Sequence, residues 1–263
     1  MQAIEAIPSP LILVGPTTAG KSDVAAAISD MTGGTIITAD RGYMYAKPDL
    51  LWLGLGLVPG ELDDGRPRRL FGSLEPHDPP LNPMDYVKQV KSEVNAIHAV
   101  GGLAIIEGCT RRYNFELMHQ YGLDHALGIS WQSETTLHSK LTRRVQAAVE
   151  LGMYNEIEAA LAAGYSDAHP MTTIPYIHAI NVIAGREERP SAEAAISDEL
   201  AQVSRNHREA YAAIDGLEWF IHERGRTKEI ALAALAKLST RSNGYGAVNQ
   251  IRGENTQHLA VTL

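Results

Sequence analysis

The chain has a single cysteine, Cys109, among 263 residues. One thiol excludes an internal disulfide framework and any cysteine-built zinc finger, and it points to a reducing, cytoplasmic compartment. Long apolar runs are missing as well. The stretch LILVG at residues 11–15 is too short for a membrane span or for the core of a secretion signal, and no basic residue precedes it. Positive charge is scarce: 23 Lys and Arg stand against 31 Asp and Glu, a net charge of −8. Phosphate-driven binding of nucleic acid favours the opposite balance, so nucleic acid is not expected as a partner, and neither is a membrane. The ten histidines show no H-x-x-x-H spacing, and no zinc site is assigned.

What is present is ordered by periodicity. Residues 11–14 form a short buried strand, a Gly/Thr turn follows, and a helix runs from Lys21 to about Met31 with Val24 and Ile28 on one face. Residues 35–40 make a second strand. Pro83 opens a helix whose face is Tyr86, Val87, Val90, Val94 and Ile97, and residues 103–108 and 125–131 are strands three and four. Strands alternating with helices dictate a parallel sheet. Residues 41–82 hold much of the Pro and Gly and read as an irregular, site-forming segment.

From residue 133 the pattern is helical. A long helix is expected from Ser191, as N-cap, to about Asp215. A return to the sheet at 219–222 and a terminal helix near 227–238 follow. The expected organisation is an α/β core over 1–131 and 217–239, a helical subdomain over 132–216 acting as a lid, and a mobile tail over 240–263.

The sharpest signal is Gly15-Pro16-Thr17-Thr18-Ala19-Gly20-Lys21-Ser22, a full match to G-x-x-x-x-G-K-[ST] set between strand and helix. Backbone N–H groups of such a loop make a nest for phosphate. Lys21 adds a point charge, and the Ser22 hydroxyl suits Mg²⁺. The motif specifies a di- or triphosphate and leaves the reaction open. Nucleotide hydrolases and kinases usually place an Asp at the end of an apolar strand to organise the metal, whereas strand three here ends in Glu107.

Further segments accompany the loop: Ile37-Thr38-Ala39-Asp40-Arg41, the strand that ends Glu107-Gly108-Cys109-Thr110, Arg144-Val145 with Gly152 eight residues after Arg144, and Ala201-Gln202 with Ser204 and His207. In order and spacing they resemble the isopentenyltransferases, P-loop prenyltransferases that include the adenylate isopentenyltransferases and the tRNA dimethylallyltransferases. The resemblance covers about residues 10–222. It implies a P-loop NTPase-like parallel sheet with helices on both faces plus a small helical subdomain. It also implies that the loop holds dimethylallyl diphosphate in place of ATP, with Mg²⁺ as cofactor. On that resemblance Gly15, Thr18, Gly20, Lys21, Ser22 and Arg144 bind the diphosphate, Ser22 also serving the metal. Lys21 and Arg144 stabilise the leaving charge, Thr17 lies near the bridging oxygen, and Asp40 takes the acceptor's N–H proton.

The acceptor half departs from the family pattern. The family's Gly-x-Gly-Arg-Pro segment has Leu57 in place of its arginine, in an apolar run that includes Trp52. Of its Asp-Gly-Tyr-Arg segment Tyr176 alone survives, a polar residue after Asp40 becomes Tyr43, and a tyrosine becomes Ser204. Groups that hydrogen-bond a purine give way to apolar and aromatic ones, and unmade hydrogen bonds are costly in a binding site. The expectation is prenyl transfer to a nitrogen, or a carbon, of a small aromatic acceptor. That acceptor is an adenine nucleotide or an indole-like compound of secondary metabolism, held by Tyr43, Trp52, Tyr176 and His207. The alternative is a P-loop small-molecule kinase using ATP, with Asp40 as base.

Overall fold

Four apolar residues with no polar interruption, Leu11–Val14, form β1, and every one is buried. Such a run suits a strand covered on both faces. In the computed structural model, which describes residues 9–47, 51, 54, 64–223 and 225–241, β1 lies between two parallel neighbours. With β2 (Thr35–Thr38), β3 (Arg68–Arg69), β4 (Ala104–Glu107), β5 (Ala126–Ser130) and β6 (Trp219–Ile221), it builds a six-stranded sheet in the order β3-β2-β4-β1-β5-β6. Every pairing is parallel. This is the α/β, P-loop-type sheet that the sequence specifies.

Alternation along the strands divides the core. Leu11, Leu13, Ile36, Ile105 and Ile129 point to one face and meet α1 (Lys21–Thr32) and α8 (Thr227–Arg241). Ile12, Val14, Ile37 and Ile106 point to the other, against α2 (Pro83–Ala99) and α3 (Arg111–Tyr121). Between β5 and β6 come four more helices: α4 (Glu134–Glu150), α5 (Met153–Ala162), α6 (Ile174–Ile183) and α7 (Arg189–Ala212). Both α4 and α6 pack on α7. Helix starts follow local chemistry: Asn82 caps α2 by accepting from the Asp85 N–H at 2.9 Å, and Ser133 caps α4 from Thr136 at 3.2 Å.

Three features differ from the sequence reading. Ser191 is not an N-cap: α7 begins at Arg189 after Glu188, with Pro190 in its first turn, where the missing proline N–H has no intrahelical partner to lose. The helix α3, absent from the sequence reading, buries Tyr113, Asn114, Leu117 and Met118. The irregular segment contributes β3, which pairs through Arg68 and Arg69 to the edge of β2. Trp52, Leu57 and the expected tail beyond Arg241 lie outside the described residues. Among the described residues no helix is long and apolar enough to cross a membrane.

Candidate active site

Two glycines shape the phosphate loop by close approach. At Gly15 (φ +141°) a Cβ would stand 2.0 Å from the Ile129 carbonyl oxygen, and at Gly20 (φ +90°) it would stand 2.2 Å from Nδ1 of His222. Between them Thr18 is held at φ 60°, a region a β-branched residue rarely enters, with its Oγ1 buried and without a hydrogen-bond partner. Lys21 folds back over the loop, and its ammonium donates to the Pro16 carbonyl at 2.7 Å. Burial pulls the Lys21 pKa below the ordinary lysine range, against the pull of Cys109, Glu107 and Asp40.

The carboxyl ends of β2 and β4 complete the edge. Their register aligns Thr38 with Glu107. Beyond it the Ala39 N–H donates to the Glu107 carbonyl at 2.7 Å, and the Thr110 N–H donates to the Ala39 carbonyl at 3.1 Å. Gly108 permits this approach, since a Cβ there would lie 2.1 Å from the Ala39 carbonyl carbon. Asp40 is therefore held on both oxygens. Its Oδ1 accepts from the N–H groups of Gly42 (2.9 Å) and Tyr43 (3.4 Å), and its Oδ2 accepts from the Cys109 thiol at 2.7 Å. The Ser22 hydroxyl donates to Glu107 Oε2 at 3.1 Å. Burial pushes the Glu107 carboxyl up, opposed by Lys21, Arg68 and the Ser22 bond. From α4, Arg144 Nη2 donates to the Tyr43 hydroxyl at 2.7 Å.

Two cavities meet at these side chains. One, of about 870 Å³, follows the loop past Thr18, Lys21, Ser22 and Glu107 and reaches Lys140 and Arg143. The other, of about 860 Å³, lies against Leu81, Leu141, Val145, Ile196 and Leu200. Thr17, Asp40, Tyr43, Cys109 and Arg144 line both. His207 lines the apolar cavity. Burial first, then Arg111 and Lys21, bring its pKa down to about 4, and its Nδ1 has no hydrogen-bond partner.

Tyr176 is placed differently from the sequence reading: it is fully buried, lines neither cavity, and packs where a Cβ on Gly54 would touch its ring. Cys109 is a site residue that the sequence motifs do not mark. Its position two residues past Glu107 was the available signal, but its contact with Asp40 depends on the tertiary approach at Gly108.

A divalent cation suits the donors on the loop side. Ser22 and the buried Glu107 are oxygen donors 3.1 Å apart, and a hard cation of Mg²⁺ type takes few protein oxygens and completes its shell with phosphate and water. Among the described residues there is no group of three or more His, Cys, Asp and Glu side chains that would make an all-protein cage.

No family model matches the chain. It is 28% identical to the tRNA dimethylallyltransferase of Pelotomaculum thermopropionicum, over 65% of the chain and 52% of that protein. It is also 28% identical to tRNA dimethylallyltransferase 1 of Citrifermentans bemidjiense, over 96% of the chain and 83% of that relative. Its homologues are isopentenyltransferases. The chain thus spans about half the length of the Pelotomaculum relative. The full-length tRNA isopentenylpyrophosphate transferase of Bacillus halodurans shares the fold, with a TM-score of 0.76 at 17% identity over 89% of the chain and 98% of that structure.

These relatives overturn one expectation. They are named for tRNA, so the reading that set nucleic acid aside for a small aromatic acceptor is corrected, and the placement in secondary metabolism goes with it. Net charge is a sum over the whole chain and does not describe a local surface. The apolar cavity is lined by Arg41, Arg111, Arg112 and Arg144, and Asp40 is the single carboxylate among its described lining residues. The kinase alternative is not favoured by prenyltransferase relatives.

Proposed function

We propose that the protein transfers a dimethylallyl group from its diphosphate to a base nitrogen of a tRNA. The observation that carries this reading is the junction of the two cavities at Thr17, Asp40, Tyr43, Cys109 and Arg144. A diphosphate on the loop side brings its allylic carbon to the junction, and a base entering the apolar cavity reaches the same carbon from the other side. The tRNA-named relatives supply the acceptor class.

In the proposed step the base nitrogen bonds to the allylic carbon as the carbon–oxygen bond breaks, and diphosphate leaves with the bonding electron pair. The N–H proton passes to the Asp40 carboxylate, whose orientation is set by the Gly42 and Tyr43 N–H groups and the Cys109 thiol. Lys21, the loop N–H groups and Arg144 stabilise the charge that develops on the leaving oxygen. Thr17 stands at the junction to meet the bridging oxygen. Bound Mg²⁺ contributes charge neutralisation on the diphosphate, and Ser22 and Glu107 are the residues that would hold it. The apolar wall of Leu141, Val145, Ile196 and Leu200 keeps water from the allylic centre.

The test is direct. The protein is incubated with Mg²⁺ and dimethylallyl diphosphate, or with Mg²⁺ and ATP, in the presence of unmodified tRNA, AMP or tryptophan, and products are resolved by mass. A prenylated nucleoside from tRNA digests is expected. Phosphoryl transfer from ATP with no prenyl adduct on any acceptor overturns the proposal.

A further inference from the structure

We propose that Arg41, Arg111 and Arg112 form a phosphate clasp at the mouth of the apolar cavity, binding phosphodiesters of the RNA strand that flank the base inside it. This rests on the transfer reaction proposed above and names the part of the acceptor that the cavity itself does not hold.

The three arginines come from two segments that the fold stitches together. Arg41 follows Asp40 at the end of β2, and Arg111 and Arg112 open α3. The Arg41 N–H donates to the Thr110 hydroxyl at 2.7 Å, and the Thr110 N–H donates to the Ala39 carbonyl at 3.1 Å, so the two segments run side by side. All three residues are exposed, and all three line the cavity.

Their lack of ion-pair partners among the described residues is informative in this chain. With 31 acidic residues against 23 basic ones, acids are easily found, and other arginines find them: Arg66 pairs with Asp30 and Asp64, Arg205 with Glu134, Arg226 with Glu229. Among the described residues Arg41, Arg111 and Arg112 form no ion pair. Asp40 is the single carboxylate among the described lining residues, and its oxygens accept from Gly42, Tyr43 and Cys109 and from none of the three guanidiniums. The uncompensated charge is felt inside: Arg111 helps lower the pKa of His207, and Arg41 that of His169, after burial in each case.

The number and exposure of these groups favour a strand over a mononucleotide. One terminal phosphate is met by a single guanidinium acting through two parallel N–H bonds. Three exposed guanidiniums from two segments match successive phosphodiesters on either side of a base turned out of its stack into a pocket. The base then lies among Val145, Ile196 and Leu200 while its backbone stays at the rim.

The experiment measures binding without turnover. Affinities for an unmodified tRNA transcript, for AMP and for dimethylallyl diphosphate are determined over a salt series. The proteins are the wild type, Arg41→Ala, the double variant Arg111→Ala/Arg112→Ala, and the double lysine variant Arg111→Lys/Arg112→Lys. The double alanine variant is expected to lose about tenfold or more in tRNA affinity, and the slope of log K against log[salt] to shrink by ~0.7–0.9 per phosphate contact removed. Arg41→Ala shows the smaller slope change of one contact, the lysine variant keeps most of the slope, and diphosphate affinity is unchanged in all. Wild-type tRNA affinity and slope in the alanine variants overturns the clasp. So does an equal loss for AMP, which assigns the arginines to a mononucleotide phosphate. If the variants lose tRNA and the wild type transfers no prenyl group, the clasp stands and the proposed reaction falls.

Discussion

Arg144 Nη2 lies 2.7 Å from the Tyr43 hydroxyl and donates to it, tying α4 to the turn that follows β2 across the junction of the two cavities. Burial raises the Tyr43 pKa well above that of free tyrosine, and Arg144 opposes the rise, so the phenol stays protonated and neutral and accepts this bond. Tyr43→Phe removes the acceptor oxygen and keeps the ring. Hydrogen bonds to charged groups contribute about 1.5–3 kcal/mol, and part of that is recovered from water here. A fall of about tenfold in kcat/KM for dimethylallyl diphosphate is expected, with thermal stability close to wild type. Unchanged kinetics would show that Arg144 is positioned without Tyr43.

Asp40 and Lys21 separate chemistry from binding. In Asp40→Asn one oxygen still accepts from the Gly42 and Tyr43 N–H groups, but the amide takes no proton. Transfer is expected to slow by ~10²–10⁴ while the dissociation constant for the diphosphate holds. Lys21→Ala removes the buried ammonium that spans the loop to Pro16, and diphosphate binding itself is expected to be lost. Calorimetric titration of both variants distinguishes the two results, and full activity of Asp40→Asn removes it as the base.

Cys109 offers a chemical reading of the same carboxylate. Burial and the neighbouring Asp40 push its thiol up to about 12, so it is almost entirely protonated at pH 8 and donates to Asp40. Thiolate is the reactive form. Labelling of this single cysteine in the native protein at pH 8 is expected to be slower than that of a free thiol by about 100-fold or more. Asp40→Asn removes the negative neighbour, lowers the thiol pKa and speeds labelling. A native rate equal to that of the unfolded chain contradicts this arrangement.

Local signals made the phosphate loop legible: a short apolar strand, glycines at fixed offsets and a helix with Val24 and Ile28 inward require little beyond their own neighbours. The parallel sheet followed from alternation. The helix α3 did not, although Tyr113, Leu117 and Tyr121 keep helical spacing, because Arg111, Arg112, Asn114 and Glu116 interrupt its apolar pattern. The edge strand β3 is defined by pairing with Ile36 and Ile37, which no local pattern encodes. The contact of Cys109 with Asp40, 69 positions apart, is likewise set by backbone approach at Gly108. Charge misled for a related reason: a chain-wide sum says nothing of three arginines that packing gathers at one rim.

His207 gives a pH signature with a defined sign. Its folded pKa is about 4, lowered by burial first and then by Arg111 and Lys21, while an exposed histidine titrates near 6.5. As pH falls below about 6.5 the unfolded chain takes up this proton before the folded one does, so unfolding is favoured. The contribution is therefore fully present above about pH 6.5 and is lost as pH falls toward 4. His207→Asn removes the linkage. Comparing urea unfolding at pH 7 and pH 5, the wild type is expected to lose about 1 kcal/mol more than the variant, a figure reduced for the partial exposure of the ring. The sign also bears on the site, because a neutral imidazole at physiological pH can meet a base edge as donor or acceptor, whereas a charged one would add a further cation to a cavity already lined by arginines. Equal pH dependence in the two proteins would show that His207 titrates as freely folded as unfolded, and the neutral ring would be withdrawn from the acceptor cavity.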